Sequence, residues 1–217
     1  MFKYEKVSVS MSDGFQALKN VSLELPDCSL TVVIGGSGAG KSSLINAGAG
    51  LKECDRGRVL IGGQDLSQMS EKSYMSFLRE TVVLKKTPKL IERLSVSENI
   101  GLPLEIQGEK RKFINREVAG ALEYVGLRHK ELSSIKELNA SQQLRIKLAQ
   151  CLVRRPKYLL ADDPTFHLSA HDLNIFRDFL YKIKDSGTTS LLVLDNTRAC
   201  KFKDARMRTL WRGELAP

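Results

Sequence analysis

The chain has 217 residues, 42% of them apolar, enough to bury a core without covalent staples, and its length fits one domain or one domain with a lobe. A formal net charge of +9 attracts polyanions, but the basic residues cluster only at Lys110-Arg111-Lys112 and from Lys201 to Arg208 with no aromatic platform between them, so nucleic acid is not expected as a partner and docking beside acidic headgroups is the better fit. No stretch approaches the roughly 18 apolar residues of a membrane span, none follows Met1 to Lys6, and Cys28, Cys54, Cys151 and Cys200 form no C-x-x-C pair, which together imply a soluble, non-secreted chain with reduced thiols.

Tyr4 to Val9 and the alternating Val21 to Leu25, ended by Pro26, read as antiparallel strands. Leu30 to Ile34 is a continuous apolar run entering a glycine-rich turn, and Lys41 to Leu51 follows with helical character. Arg58 to Ile61 and Thr81 to Leu84 read as further strands. Between about Ser95 and Ala149 the pattern turns helical, with Ile114, Val118, Leu122 and Val125 on one face, which predicts a helical subdomain. Strands return at Tyr158 to Ala161 and Ser190 to Leu194, separated by a helix that turns Leu173, Phe176, Leu180 and Ile183 inward, and this alternation implies a parallel sheet. Arg206 to Leu215, with a turn at Gly213, reads as a short hairpin. Phe113, Tyr124 and Phe176 at helical positions are expected in the core.

The segment Gly35-Gly36-Ser37-Gly38-Ala39-Gly40-Lys41-Ser42 fits G-x-x-x-x-G-K-[ST], and it lies after a buried strand and before a helix, the context this motif demands. Its glycines let successive amides point at one anion, Lys41 would neutralise the β and γ phosphates of a nucleoside triphosphate, and the Ser42 hydroxyl would face magnesium. The magnesium site needs a carboxylate at the end of another buried strand, and Asp162 has that place. Its neighbour Asp163 is a candidate to orient or deprotonate an attacking water. His167 and His171 have i, i+4 spacing, but such pairs are more often surface residues than metal ligands.

Several motifs in order make essentially the whole chain resemble the ATP-binding subunits of ABC transporters. Leu160-Ala161-Asp162-Asp163-Pro164-Thr165 is similar to the family's L-A-D-E-P-T, and Leu138-Asn139-Ala140-Ser141-Gln142-Gln143-Leu144-Arg145 stands in the place of the signature L-S-G-G-Q-Q-Q-R. Arg93 to Leu104 is similar to the R-L-T-V-x-E-N-V-x-L-P-L of the lipoprotein-release, macrolide-export and cell-division subgroup. The resemblance implies an α/β P-loop NTPase of ABC type, with a mixed sheet core, an antiparallel β lobe and a helical subdomain at about 87–150 within one domain spanning 1–217. It also implies ATP and Mg2+ as cofactors, Ser43 and Met11 beside the nucleotide, a membrane permease and a second ABC subunit as partners in a homo- or heterodimer, and a cytoplasmic place on the inner face of the membrane.

The departures from that pattern fall where the family reads or attacks the γ phosphate. Met11 replaces the adenine-stacking aromatic, Lys86 the Q-loop glutamine, Asp163 the catalytic glutamate and Asp195 the switch histidine. Asn139, Ala140 and Ser141 replace the signature serine and glycines, ahead of Gln142, and the D-loop reads Phe166-His167-Leu168-Ser169. A shorter carboxylate at 163 retards hydrolysis, since a misplacement of about 1 Å can cost roughly 10²-fold in rate. Asp195 would aim negative charge at the γ phosphate. Two readings of Lys86 and Asp195 stay open: a compensating ion pair, or independent drift of unused positions. Three functions compete: a hydrolysis-impaired nucleotide-binding subunit, a slow ATPase using Asp163, and a soluble ABC protein of nucleic-acid or translation work, against which the single-domain length and the Glu98-to-Leu104 stretch argue.

Overall fold

The computed structural model describes residues 1–86, 89–164, 169–195 and 202–216, and the chain divides into two compact units. The first comprises 1–85, 157–163 and 184–217, the second 86–156 and 164–183.

The first unit holds β1 (Phe2–Ser10), β2 (Gln16–Leu25), β3 (Leu30–Ile34), α1 (Lys41–Gly48), β4 (Arg56–Ile61), β5 (Gln64–Asp65), α2 (Glu71–Glu80) and β6 (Thr81–Leu84). Its later residues add β7 (Tyr158–Asp162), β8 (Thr189–Leu194), β9 (Arg206–Trp211) and β10 (Glu214–Leu215). One antiparallel sheet has the order β2-β1-β4-β5, so the two opening strands pair as their alternation predicts. The other has the order β10-β9-β3-β8-β7-β6, and within it β9, β3, β8, β7 and β6 run parallel. Its central strands β8 and β7 are buried along their length up to the half-buried Asp162 that ends β7, which is why they read as apolar runs.

The core of this unit joins both sheets to α1. Phe2 and Tyr4 are fully buried, the Phe2 and Tyr158 rings meet edge-on at 5.3 Å, and Tyr4 donates its hydroxyl to the Leu44 carbonyl at 3.1 Å. Burial pushes the Tyr4 phenol far above its usual range. A side chain at Gly48 would fall 2.0 Å from that hydroxyl, so glycine lets α1 lie against β1. Cys28, Cys54 and Cys151 are free thiols, and Cys200 lies outside the described residues.

The second unit contains α3 (Val96–Ile106), α4 (Arg111–Tyr124), α5 (Ala140–Arg154) and α6 (Ala170–Asp185), whose last two residues count with the first unit. A capping box of Ser95 and Glu98 starts α3, and the buried Asn99 amide donates to the Ile91, Leu94 and Ser95 carbonyls. Ile114, Val118, Leu122 and Val125 form the buried face expected of α4 and its end. Two aromatic expectations need correction. Phe113 and Tyr124 are only half-buried, because each ring carries a cation on its face, Arg116 at 5.1 Å and Lys182 at 4.2 Å. On α6, Phe176, Leu180 and Ile183 are buried as predicted, but Phe179 takes the share assigned to Leu173, which is half-buried.

Candidate phosphate-binding site

Strand order places the motif. β3 lies between β9 and β8, and β7 follows, so the loop after β3, the end of β7 and the residue after β8 share the carboxyl edge of the parallel strands, where open α/β sheets bind ligands. Ile34 is opposite Leu194 and Asp162 opposite Val193, which brings Asp195 level with the start of the loop. The Gly35 N–H donates to the Leu194 carbonyl at 3.1 Å, and the Gly213 N–H of the last turn donates to the Ala39 carbonyl at 3.0 Å.

The loop's glycines have two distinct causes. Gly40 has φ 101°, and a Cβ there would sit 2.2 Å from the Ala17 carbonyl oxygen, while one on Gly35 would sit 2.6 Å from that of Leu210. These two are imposed by neighbouring backbone. Around Gly36 and Gly38 nothing lies within 4 Å of a built Cβ, which leaves room over the loop's backbone. α1 starts at Gly40 with no side-chain cap, so side chains of the chain do not take up its leading amides, the condition for a helix N-terminus to hold phosphate. Ser37 and Ser42 are exposed, Ser43 is half-buried and Ala39 is buried.

Lys41 makes three bonds from Nζ: to the Gly35 carbonyl at 2.6 Å, the Gly36 carbonyl at 2.7 Å and Asp195 Oδ1 at 3.0 Å. An ammonium has three N–H donors, and all three are engaged. The sequence leaves open whether Asp195 pairs with Lys86. In the structure the partner that the first unit gives Asp195 is Lys41, while Lys86 is exposed and belongs to the second unit.

Asp162 ends β7, half-buried. Asp163 is 5% exposed, has a left-handed backbone at φ 41°, and donates its N–H to the Val193 carbonyl at 3.0 Å. That bond pins the Asp163 backbone to β8. Met11 is half-exposed at the end of β1, in a turn where its N–H donates to the Phe15 carbonyl at 2.8 Å.

The residues that stand in the place of the signature form the start of α5 in the second unit. Asn139 is the N-cap: its Oδ1 accepts from the Gln142 N–H at 2.9 Å, and Gln142 Oε1 accepts from the Asn139 N–H at 3.1 Å. Ala140 and Ser141 open the helix in ordinary helical backbone. The same helix also supplies Arg145 to a buried network that the motif reading missed. Asp172 accepts from Arg145 Nε at 2.9 Å and Nη2 at 2.5 Å, and from Ser169 Oγ at 2.6 Å. Burial works to raise the Asp172 pKa, but these hydrogen bonds and the Arg145 charge outweigh it and hold the carboxyl down at about 2. The Ser169-x-x-Asp172 spelling before α6 was the available signal, since Ser or Thr three residues ahead of an acid marks a helix start. Of the D-loop only Ser169 is described; 165–168, His167 included, lie outside the described residues. His171 is exposed, and among the described residues no cluster of three His, Cys, Asp or Glu side chains is poised for a metal ion.

A family model described as ABC transporter matches residues 18–166, more than half of the chain. The chain belongs to the ABC transporter ATP-binding family. It is similar to the cell division ATP-binding protein FtsE of Streptococcus pneumoniae serotype 2 (strain D39), 33% identical over 203 residues that cover 94% of this chain and 88% of that one. It is also similar to the methionine import ATP-binding protein MetN of Rhizobium meliloti (strain 1021), 34% identical over 93% of this chain and 57% of that longer protein. Among solved structures, the dimeric ATP-binding cassette MJ0796 bound to ADP and Pi superposes with a TM-score of 0.88 at 24% identity, covering 100% of this chain and 97% of that one, and it supports the ABC-type P-loop fold.

ABC ATP-binding domains bind ATP with Mg2+, pair with a second such domain and work beside a membrane permease. The loop here fits the triphosphate, because its surface at Gly36 and Gly38 is open and the first amides of α1 carry no internal cap. Ser42 and Asp162 are the residues that would hold the metal. Among the described residues no helix is long and apolar enough to cross a membrane.

Proposed function

We propose that this ABC subunit binds ATP but hydrolyses it poorly, and that it acts by nucleotide-dependent or constitutive association with a second ABC subunit, on the inner face of the membrane and beside a permease. In this reading the whole chain is one ABC domain whose helical subdomain spans about 87–150, and the second subunit is either another copy or a different cassette. The likeness of Arg93 to Leu104 to the mechanotransmission subgroup, together with the match to a cell-division cassette, supports a role in transmitting movement through the membrane partner.

The observation that carries the impaired-motor reading is Asp163. It stands where the family has glutamate, and its carboxylate is one methylene closer to a backbone that is buried and tied to Val193. The backbone cannot advance to restore the lost reach, and a shortfall of about 1 Å costs roughly 10²-fold in rate. Phosphate release by the complex purified with its permease tests this. Turnover should be near background, Asp163→Ala should hardly change it, and Asp163→Glu should raise it about tenfold or more. Brisk turnover that Asp163→Ala abolishes would instead establish a working ATPase with Asp163 as the base, the reading that the retained carboxylate next to Asp162 favours.

A further inference from the structure

We infer that Asp195 is a specificity-determining residue that competes with the terminal phosphate of a nucleoside triphosphate for Lys41, so that this chain binds the diphosphate at least as tightly as the triphosphate. The inference rests on the nucleotide-binding reading and deepens it. Lys41 has three donors and three acceptors, two of them loop carbonyls and the third a carboxylate 3.0 Å away. A phosphate oxygen that takes a donor from a neutral carbonyl leaves behind a neutral oxygen. One that takes the donor from Asp195 leaves behind an anion facing the new anion.

Geometry decides which phosphate meets that obstacle. The amides from Gly36 into α1 cradle the phosphates nearer the nucleoside, whereas the lysine of this motif serves the β and γ groups. Asp195 leaves β8 next to the strand that feeds the loop, with Ile34 opposite Leu194, and it reaches Lys41 from that side. A diphosphate can fill the amide cradle and take for its β phosphate a donor that Lys41 gives to a loop carbonyl, while the ion pair with Asp195 is kept. The third phosphate adds negative charge beside the Asp195 carboxylate and needs the donor it holds. The Lys41 side chain is 11% exposed and that of Asp195 31%, so water screens the repulsion only in part. The contact with the γ phosphate that usually favours a triphosphate is therefore offset.

Calorimetric titration of the purified chain and of Asp195→Asn, each with MgATP and with MgADP at one ionic strength, tests the inference. Wild type should bind ATP no more tightly than ADP. Asp195→Asn keeps the shape and removes the charge, so it should tighten ATP by about 10-fold or more and ADP by less than about 3-fold. Wild-type binding of ATP tighter than ADP beyond the error of the titration would overturn the inference, as would an equal gain for both nucleotides in the variant. If Asp195→Asn does not fold, Asp195→Ser gives the same comparison, and the wild-type ratio decides by itself. Binding of neither nucleotide by any form would remove the nucleotide-binding reading itself, an outcome distinct from a wrong ratio.

Discussion

The phosphate loop and the start of the signature helix both use helix N-terminal amides, yet they tolerate change very differently. In the loop, Gly35 and Gly40 are hemmed in by the backbones of Leu210 and Ala17, so the fold itself demands them whatever the loop binds. At the start of α5, Asn139, Ala140, Ser141 and Gln142 stand in ordinary backbone, and a capping box satisfies two of the helix's leading donors internally. Glycine there serves a neighbour's nucleotide in the family and nothing in this chain's own fold. This fold can therefore do without glycine at the start of α5 at no cost in stability, but not at Gly35 and Gly40.

The largest effect separating the two regions is expected from Gly40→Ala. The added carbon meets the Ala17 carbonyl at 2.2 Å, and φ 101° is strained for any L side chain, so backbone must shift. A loss of about 4 kcal/mol is expected in urea unfolding, a large part of the 5–15 kcal/mol that holds a typical domain together. A loss under about 1 kcal/mol would show that the loop has room to relax and would collapse the contrast.

Next in size is the network under the signature helix. Arg145→Met leaves the Asp172 carboxylate buried with its main countercharge gone, and a loss of about 3 kcal/mol is expected. The pH dependence follows from the depressed Asp172 pKa. Its stabilisation is fully present above the ordinary carboxylate range near pH 4 and disappears as pH falls through about 2. Wild type should lose on the order of 2 kcal/mol over that window beyond what Asp172→Asn loses, measured by urea unfolding at a series of pH values. Parallel profiles for the two proteins would show that Asp172 is not held down by its neighbours.

Much of this was legible in the sequence, and the rest was hidden for physical reasons. Continuous apolar runs gave β3, β6 and β8 almost to the residue, because strands buried on both faces admit little else. The phosphate loop was readable because its first and last glycines, Gly35 and Gly40, answer to neighbouring backbone. The cation seats on Phe113 and Tyr124 were not, since helical periodicity records a ring as apolar and does not report what covers its outer face. Nor was the ion pair of Asp195 with Lys41: the two substituted positions left a link between Lys86 and Asp195 open, and it is the register of β3 and β8 that brings Lys41 to Asp195. A pairing between residues 154 apart is set by strand order, which the spelling of either segment does not contain.

The smallest effect sharpens the comparison most, because it asks whether the signature helix is now built for this chain's own stability. Asn139 accepts from the Gln142 N–H at 2.9 Å, and Gln142 returns a bond to the Asn139 N–H at 3.1 Å. Asn139→Ala removes the first bond and loosens the second, which should cost about 1 kcal/mol in urea unfolding. Asn139→Ser restores a good cap along with the family's own residue, so it should return nearly all of that stability. The two variants separate roles that one substitution confounds. If Asn139→Ser matches wild type in stability but phosphate release remains at background, the serine alone does not restore turnover, and any block lies with the other substituted positions, Asp163, Lys86, Asp195, Ala140 and Ser141 among them. If Asn139→Ala costs nothing, the capping box is not holding the helix start, and the claim that this end of α5 has been turned inward to stability fails.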